Sequence, residues 1–181
     1  MELTKKQKET LKRNNAESKF ITREAIKEAL YILMEKKDYD EIRISDIITK
    51  SGVSRSAFYR NYKIKDEILH DTLTEIYDLF LAKGTYSLQS NWELIFSILR
   101  ENKKKLDLIL KAGLEYHLLS KFNENLDMKN GKDFKKAMNN GLIINVLIYW
   151  ARCGMKGTDK EAAERVIKSY NQINKDLELY Y

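Results

Sequence analysis

The sequence predicts an all-α protein, and three observations support this fold class. None of the 181 residues is proline, so no proline ring interrupts a helix or removes one of its backbone donors. Charged residues make up 33% of the chain and hydrophobic residues 43%, a balance typical of long amphipathic helices. Apolar side chains recur every three or four residues along most of the chain, which is the helical period.

The first helix is predicted over residues 23–36, after a lysine-rich segment. Thr22 is placed to cap this helix, and Ile21 and Ile26 occupy the two positions of a hydrophobic staple. Residues 1–14 are rich in lysine and poor in apolar side chains, so we expect a basic, flexible and solvated tail there.

Residues 44–65, ISDIITKSGVSRSAFYRNYKIK, hold the most specific pattern in the chain. Ser45 is expected to cap a short helix, with Asp46 at the positive end of the helix dipole. Gly52 supplies the left-handed residue that a tight turn between helices requires, and Ser54 caps the next helix. The pattern predicts a helix-turn-helix.

The second helix of this pair is polar on its outer side. Ala57 and Phe58 are predicted to face the core. The outward residues combine positive charge with hydrogen-bonding groups, so they suit both phosphates and base edges. They are Arg55, Ser56, Tyr59, Arg60 and Asn61.

This stretch resembles the DNA-binding domain of TetR/AcrR-type transcriptional regulators over about residues 20 to 70. The residues that fall on the family pattern in register are Asp46, Ile47, Gly52, Val53, Ser54, Tyr59, Tyr62, Lys65, Ile68 and Leu69. The departures change side-chain size or a connection rather than the contact residues. They are Ile48, Ser51, Asp38, and Tyr62 at a position where the family usually has phenylalanine.

The resemblance implies a three-helix helix-turn-helix DNA-binding domain over residues 15–65 and a helical ligand-binding and dimerisation domain over residues 66–181. Such proteins bind near-palindromic double-stranded DNA as homodimers, more often as repressors, although activation also occurs. The DNA-contacting positions that the resemblance and the outward pattern give are Arg23, Ser45, Ser54, Arg55, Ser56, Tyr59, Arg60 and Lys65. Arg55 and Ser56 are assigned to base edges, and Arg23, Tyr59, Arg60 and Lys65 to phosphates.

Positive charge is concentrated at the same end of the chain as the helix-turn-helix. Residues 1–65 hold 16 Lys and Arg against 10 Asp and Glu, whereas residues 66–181 hold 17 of each. The whole net charge of +6 therefore lies in the first 65 residues. A local positive field is typical of a surface that binds phosphates. The basic tail has a second interpretation, as an arm that enters a minor groove.

The second domain is predicted to be helical throughout. A helix opens at Asp66 and ends at Gly84, and Ser90 with Glu93 forms the pattern of a capping box. Residues 141–150, GLIINVLIYW, are apolar nearly all round, which requires burial on several sides. Thr158 and Glu161 form a second capping-box pattern ahead of the last helix.

The last two helices are predicted to form a dimer interface, because two copies would cover both apolar faces as a four-helix arrangement. The interface residues expected on this basis are Ile144, Leu147, Ile148, Ala163, Val166, Ile167 and Tyr170. The alternative is that these two helices complete the core of a single chain.

A small-molecule effector site is a further expectation for the second domain. The polar or aromatic residues that could line it are Trp92, Phe96, Tyr116, His117, Phe122 and Trp150. Aromatic residues at helical spacing also serve as ordinary core, and no pattern among them identifies a ligand.

Other classes of function find no support in the sequence. No catalytic, metal-binding or phosphate-loop motif is present, so no enzyme activity and no cofactor are expected. Cys153 has no second cysteine to pair with and is expected to be buried and inert. No signal peptide or membrane span is apparent, so we expect a cytoplasmic protein. Two alternatives stay open: a co-regulator that acts through a protein partner, and a ligand sensor with vestigial DNA binding.

Overall fold

The computed structural model describes residues 4–85, 87–127 and 129–178, without the side chains of residues 8 and 173–178. Over these residues the protein is helical and has no strand, which confirms the predicted all-α class. The helices are α1 (Lys5–Met34), α2 (Ile44–Ser51), α3 (Arg55–Asn61), α4 (Asp66–Lys83), α5 (Leu88–Glu101), α6 (Lys103–Lys111), α7 (Tyr116–Asn123), α8 (Phe134–Arg152) and α9 (Asp159–Glu178), with a 3-10 turn at Tyr39–Glu41.

The chain divides into two compact units, Met1–Asp71 and Thr72–Tyr181. The division falls within α4, six residues beyond the boundary predicted after Lys65. The first unit extends this far because the start of α4 is tied to α1 and to the end of α3 through Asp71. None of the described helices has both the length and the hydropathy needed to cross a bilayer.

The first helix starts much earlier than predicted, so the expected flexible tail over residues 1–14 is wrong for its described part. Thr4 caps α1 in a capping box: its hydroxyl accepts a hydrogen bond from the Gln7 amide at 3.3 Å, and the Gln7 side chain accepts one from the Thr4 amide at 2.8 Å. The helix continues because residues 5–22 contain neither glycine nor proline and many good helix formers.

The predicted start of this helix at Arg23 is also wrong. Thr22 lies inside the helix and donates its hydroxyl proton to the Ser18 carbonyl at 2.8 Å instead of capping a helix end. Ile21 is 60% exposed, so it forms no hydrophobic staple with Ile26. Thr22 and Ile21 match an N-terminal pattern, but the helix-forming residues before them prolong the helix.

The three-helix arrangement of the first unit is as predicted. α1 packs against α2 and α3, and the apolar side chains at the centre are fully buried. They are Ile26, Leu30, Ile47, Phe58, Ile68 and Leu69. Gly52 ends α2 in the left-handed conformation, at a φ of 70°, so the predicted turn between the two helices is present.

The predicted cap of α2 is displaced by two residues. The helix begins at Ile44, and the residue before it is Arg43. The Arg43 amide donates to the Asp46 carboxylate at 3.1 Å, which lowers the pKa of Asp46 below its usual range. Ser45 lies in the first turn and its side chain is exposed. The side-chain hydrogen bond at the start of α2 is made by the Asp46 carboxylate instead of the Ser45 hydroxyl.

In the second unit, α5 packs against α9, while α6 and α7 pack against α8. The α5 cap is Ser87, whose hydroxyl accepts from the Ser90 amide at 3.2 Å, so the predicted capping box of Ser90 and Glu93 is wrong. Glu93 instead accepts a hydrogen bond from the Gln89 side chain at 2.6 Å. The second predicted capping box is present at the start of α9, with contacts of 2.8 and 3.2 Å between Thr158 and Glu161.

The burial of α8 and α9 corrects part of the predicted dimer interface. Ile144, Leu147 and Ala163 are at most 5% exposed within one chain, so they complete its own core. The other predicted interface residues are partly exposed, and they are Ile148, Val166, Ile167 and Tyr170. Cys153 is exposed where α8 ends rather than buried, because the helix stops just before it.

Candidate nucleic-acid interface

Helix α3 is held from behind by two aromatic side chains. Phe58 is fully buried and Tyr62 is 2% exposed, with their ring centroids 6.3 Å apart. Ser54 caps the helix as predicted, because its hydroxyl accepts the Ala57 amide at 3.1 Å. These contacts fix both the start of α3 and the direction in which its outer face points.

The outer face of α3 carries Arg55, Ser56, Tyr59 and Arg60, all exposed as predicted. The Arg55 guanidinium lies 5.7 Å from the centre of the Tyr59 ring, so these two residues form one continuous cationic and aromatic surface. Asn61 was also expected to face outward, but its side-chain amide donates back to the Ala57 carbonyl at 2.8 Å. Asn61 therefore finishes the helix instead of joining the exposed set.

Three donors converge on Asp71 behind this helix. Arg23 donates through Nε at 3.0 Å and makes a second guanidinium contact with the other carboxylate oxygen. The Tyr62 hydroxyl donates at 2.6 Å, and the Lys27 ammonium lies 3.1 Å from the same oxygen. We call these four residues the Asp71 cluster; it connects α1, the end of α3 and the start of α4.

The side chains of the Asp71 cluster are mostly buried, and burial together with hydrogen bonding shifts their pKa values. Burial raises the pKa of Asp71, but the hydrogen bonds from Arg23, Tyr62 and Lys27 outweigh burial and lower it to about 2. Burial and the bond to Asp71 raise the pKa of Tyr62 above its usual range, so its hydroxyl stays a donor. The bond to Asp71 likewise raises the pKa of Arg23.

Two cations that the sequence assigned to phosphates have internal partners. Arg23 is bound to Asp71, and its guanidinium lies 5.0 Å from the Tyr62 ring centre. Lys65 donates to the backbone carbonyls of Tyr39 at 2.5 Å and Ile42 at 3.1 Å, and it lies 4.1 Å from the centre of the Tyr39 ring. The structure gives both side chains a role in holding the domain together.

Residues that sequence reasoning missed fall into two groups. Asp71 and Lys27 gave no motif signal, because each looks like an ordinary charged position on an amphipathic helix. Lys50 and Lys63 are exposed, Lys50 in the last turn of α2 and Lys63 two residues after the end of α3. Their position next to the two helix ends was the available signal for these flanking cations.

Two half-open apolar cavities lie along α5, α8 and α9 among the described residues of the second unit. The larger, about 420 Å³, includes Trp92, and the smaller, about 270 Å³, includes Phe96 and Trp150. The remaining predicted ligand residues line neither of these two cavities. Tyr116 is exposed, His117 is buried beside it with ring centroids 4.1 Å apart, and Phe122 packs edge-on against Tyr77. Within the described residues no group of His, Cys, Asp and Glu has the arrangement of a metal site.

Comparison with known proteins supports the resemblance seen in the helix-turn-helix. Residues 26–72 match the model of the family described as bacterial regulatory proteins, tetR family. An uncharacterized HTH-type transcriptional regulator of Bacillus subtilis (strain 168), YxbF, is 38% identical over 92 residues, which are 50% of this chain and 23% of that protein. The chain thus spans less than a quarter of that relative's length.

A solved structure shows the same fold over most of the chain. It is the crystal structure of a TetR transcriptional regulator from Streptococcus agalactiae 2603V, with a TM-score of 0.56 and 20% identity. The match covers 87% of this chain and 97% of that one. Residues 26–72, which hold the helix-turn-helix with the outer face and the buried anchors of α3 in place, thus match the tetR family of bacterial regulatory proteins.

Proposed function

We propose that this protein is a transcriptional regulator that binds double-stranded DNA by placing α3 in the major groove. The observation that carries the proposal is the exposed face of α3, on which Arg55, Ser56, Tyr59 and Arg60 stand over the buried Phe58. The names of the relatives from Bacillus and Streptococcus, both transcriptional regulators, support it. The concentration of net positive charge in the first 65 residues supports it as well.

The exposed residues of α3 are assigned to two kinds of DNA contact according to their position along the helix. In helix-turn-helix proteins the N-terminal residues of the recognition helix meet base edges. Arg55 and Ser56 occupy the first two positions of α3, and arginine pairs with guanine through two parallel hydrogen bonds. Tyr59 and Arg60 lie one turn later, where the phenol and guanidinium are assigned to phosphates.

A second copy of the chain is proposed to pack against the outer faces of α8 and α9. Three large side chains along α8 are unusually exposed: Phe134 at 81%, Met138 at 59% and Tyr149 at 72%. Tyr149 also borders the smaller cavity together with Val166 and Tyr170 of α9. A homodimer would remove this apolar surface from water and present two copies of α3 about 34 Å apart, one turn of DNA.

The larger cavity is proposed to hold an effector that releases the protein from DNA, so that the protein acts as a repressor. The residues lining it are mainly aliphatic and aromatic, with two asparagine side chains as polar contacts, Asn91 and Asn139. Such a lining favours a largely apolar small molecule with one or two hydrogen-bonding groups. Measuring whether such compounds lower DNA affinity tests this part of the proposal.

The DNA contacts are tested with two arginine variants on the same helix. Arg55→Ala is expected to relax the choice of base at one position of each half-site, with a loss of about 1–3 kcal/mol for the preferred base. Arg60→Ala is expected to weaken binding to every duplex similarly and to lower the salt dependence by about one phosphate contact. Selection of sequences from a random pool separates the two effects.

The pair of variants also shows how the proposal would fail. If Arg55→Ala lowered all affinities equally, its assignment to base edges would be wrong. If neither substitution changed duplex binding, α3 would not be the DNA-binding element.

Sedimentation of Tyr149→Arg beside an exposed control, Lys160→Glu, tests the proposed dimer separately. Only Tyr149→Arg is expected to give monomers.

A further inference from the structure

The N-terminal half of α1 extends beyond the packed part of its unit. From Lys5 to Ile21, every side chain whose burial is described is exposed, whereas Ile26 is fully buried. We call residues 5–21 the α1 extension. It rises about 25 Å along the helix axis. Most helix stability in proteins comes from tertiary packing, so a partner surface would add to the stability of the exposed extension.

Three lysines of the α1 extension lie along one side of the helix. Lys5, Lys12 and Lys19 are seven residues apart, and the next step of seven reaches Ile26. Seven residues turn a helix by about 700°, only 20° short of two full turns. The three lysines therefore project from the side of α1 that, further along, packs against α2 and α3 through buried residues such as Ile26.

The other exposed side chains of the extension do not form a second stripe. Lys6 and Arg13 also stand seven residues apart, but each follows a stripe lysine by one residue and so lies about 100° around the helix. At the same rotation of about 100° per residue, the exposed apolar residues Leu11, Phe20 and Ile21 point in three different directions. Without a shared apolar face, the extension does not suit another helix as a partner.

The extension leaves its unit beside the end of α3. Arg23 lies just after the extension, and its guanidinium is 5.0 Å from the ring of Tyr62, the residue that follows α3. The major groove is walled by the two sugar-phosphate backbones, so a helix in that groove has phosphates close to its ends. Lys5, Lys12 and Lys19, which we call the stripe lysines, therefore belong to a helix that passes close to the phosphates flanking the site. Their positive charge is complementary to those phosphates.

We propose that Lys5, Lys12 and Lys19 contact the phosphates of duplex DNA that flank the site occupied by α3. This inference rests on the proposed function, since it needs α3 in the groove. The contact is with the backbone and not within a minor groove, because a helix about 10 Å wide does not enter a groove of about 6 Å. The extension would add affinity without adding sequence preference.

The test compares two double variants of the full-length protein that remove the same charge from different sides of one helix. K5Q/K12Q removes two stripe lysines, and K6Q/R13Q removes their neighbours. Binding to a fluorescent random-sequence duplex of about 40 base pairs is titrated at several salt concentrations. Glutamine forms helices as readily as lysine, and circular dichroism checks that helix content is unchanged.

K5Q/K12Q is expected to lower the slope of log affinity against log salt by about 2, since each lost phosphate contact removes about 0.9. K6Q/R13Q is expected to leave that slope nearly unchanged, and K5R/K12R should retain the wild-type slope because it keeps both charges. Equal slopes for K5Q/K12Q and K6Q/R13Q would overturn the inference, even with wild-type binding intact. Absence of duplex binding by the wild type at low salt would overturn the proposed function as well.

Discussion

Replacement of Asp71 by asparagine tests whether the Asp71 cluster holds the DNA-binding unit together. Asparagine keeps the size of the side chain but removes the charge that Arg23, Lys27 and Tyr62 surround. Lys27 is only 2% exposed, and Glu24 at 2.9 Å would remain as an acidic partner. Loss of one member of a buried charge cluster leaves the others poorly compensated, which is costly.

The size of the effect follows from the pKa of Asp71. Its side chain is 16% exposed, and its pKa falls from an ordinary 3.8 to about 2 in the folded protein. That difference corresponds to about 2 kcal/mol of folding free energy at neutral pH. Because the folded pKa is the lower one, this contribution is complete above about pH 5 and is lost as the pH falls through about 2.

Native-state amide hydrogen exchange of α2 and α3 measures the stability of the first unit directly. Asp71→Asn is expected to lower the opening free energy by about 2 kcal/mol at pH 7, and by less than about 1 kcal/mol near pH 2.5, where the wild-type carboxylate is also losing its charge. Fluorescence of Trp92 and Trp150, both in the second unit, gives an internal control. A difference that stayed the same at both pH values would refute the assigned role of the charge.

Two further substitutions test contacts that the structure assigns. Lys65→Gln is expected to destabilise the first unit by about 1–3 kcal/mol, because the carbonyls of Tyr39 and Ile42 lose their charged donor; urea unfolding measures this. A lowered salt slope with unchanged stability would instead return Lys65 to the DNA contacts. Gly52→Ala is expected to cost about 1–2 kcal/mol from backbone strain alone, since φ is 70° and no atom lies within 4 Å of the added carbon. Gly52→Asn should cost less, and equal losses for both would point to a cause other than the left-handed conformation.

The fold was predictable from the sequence because its main signals are local. The absence of proline, the helical period and the turn chemistry of Gly52 and Ser54 act over a few residues, and each gave the observed element. Helix starts were less predictable where two patterns competed. Thr22 matches a cap, but the residues before it favour helix strongly enough to carry α1 back to Lys5.

The outer face of α3 was also predictable, since burial of Phe58 fixes which neighbours face water. The partners of Arg23 and Lys65 were not, because they lie 48 and 26 residues away in the chain and no spacing rule connects them. Burial of Ile144 and Ala163 within one chain was missed for the same reason. A sequence pattern shows that a helix has an apolar face, but not whether its own chain or a second copy covers that face.

We propose that α3 reads duplex DNA as part of a symmetric dimer. Selection of duplexes from a random pool by the purified protein, repeated at two salt concentrations, tests it most directly. We expect enrichment of a near-palindromic sequence with half-sites about one helical turn apart, and an affinity that falls steeply as the salt concentration rises. Recovery of no preferred sequence, with weak binding that is insensitive to salt, would contradict it.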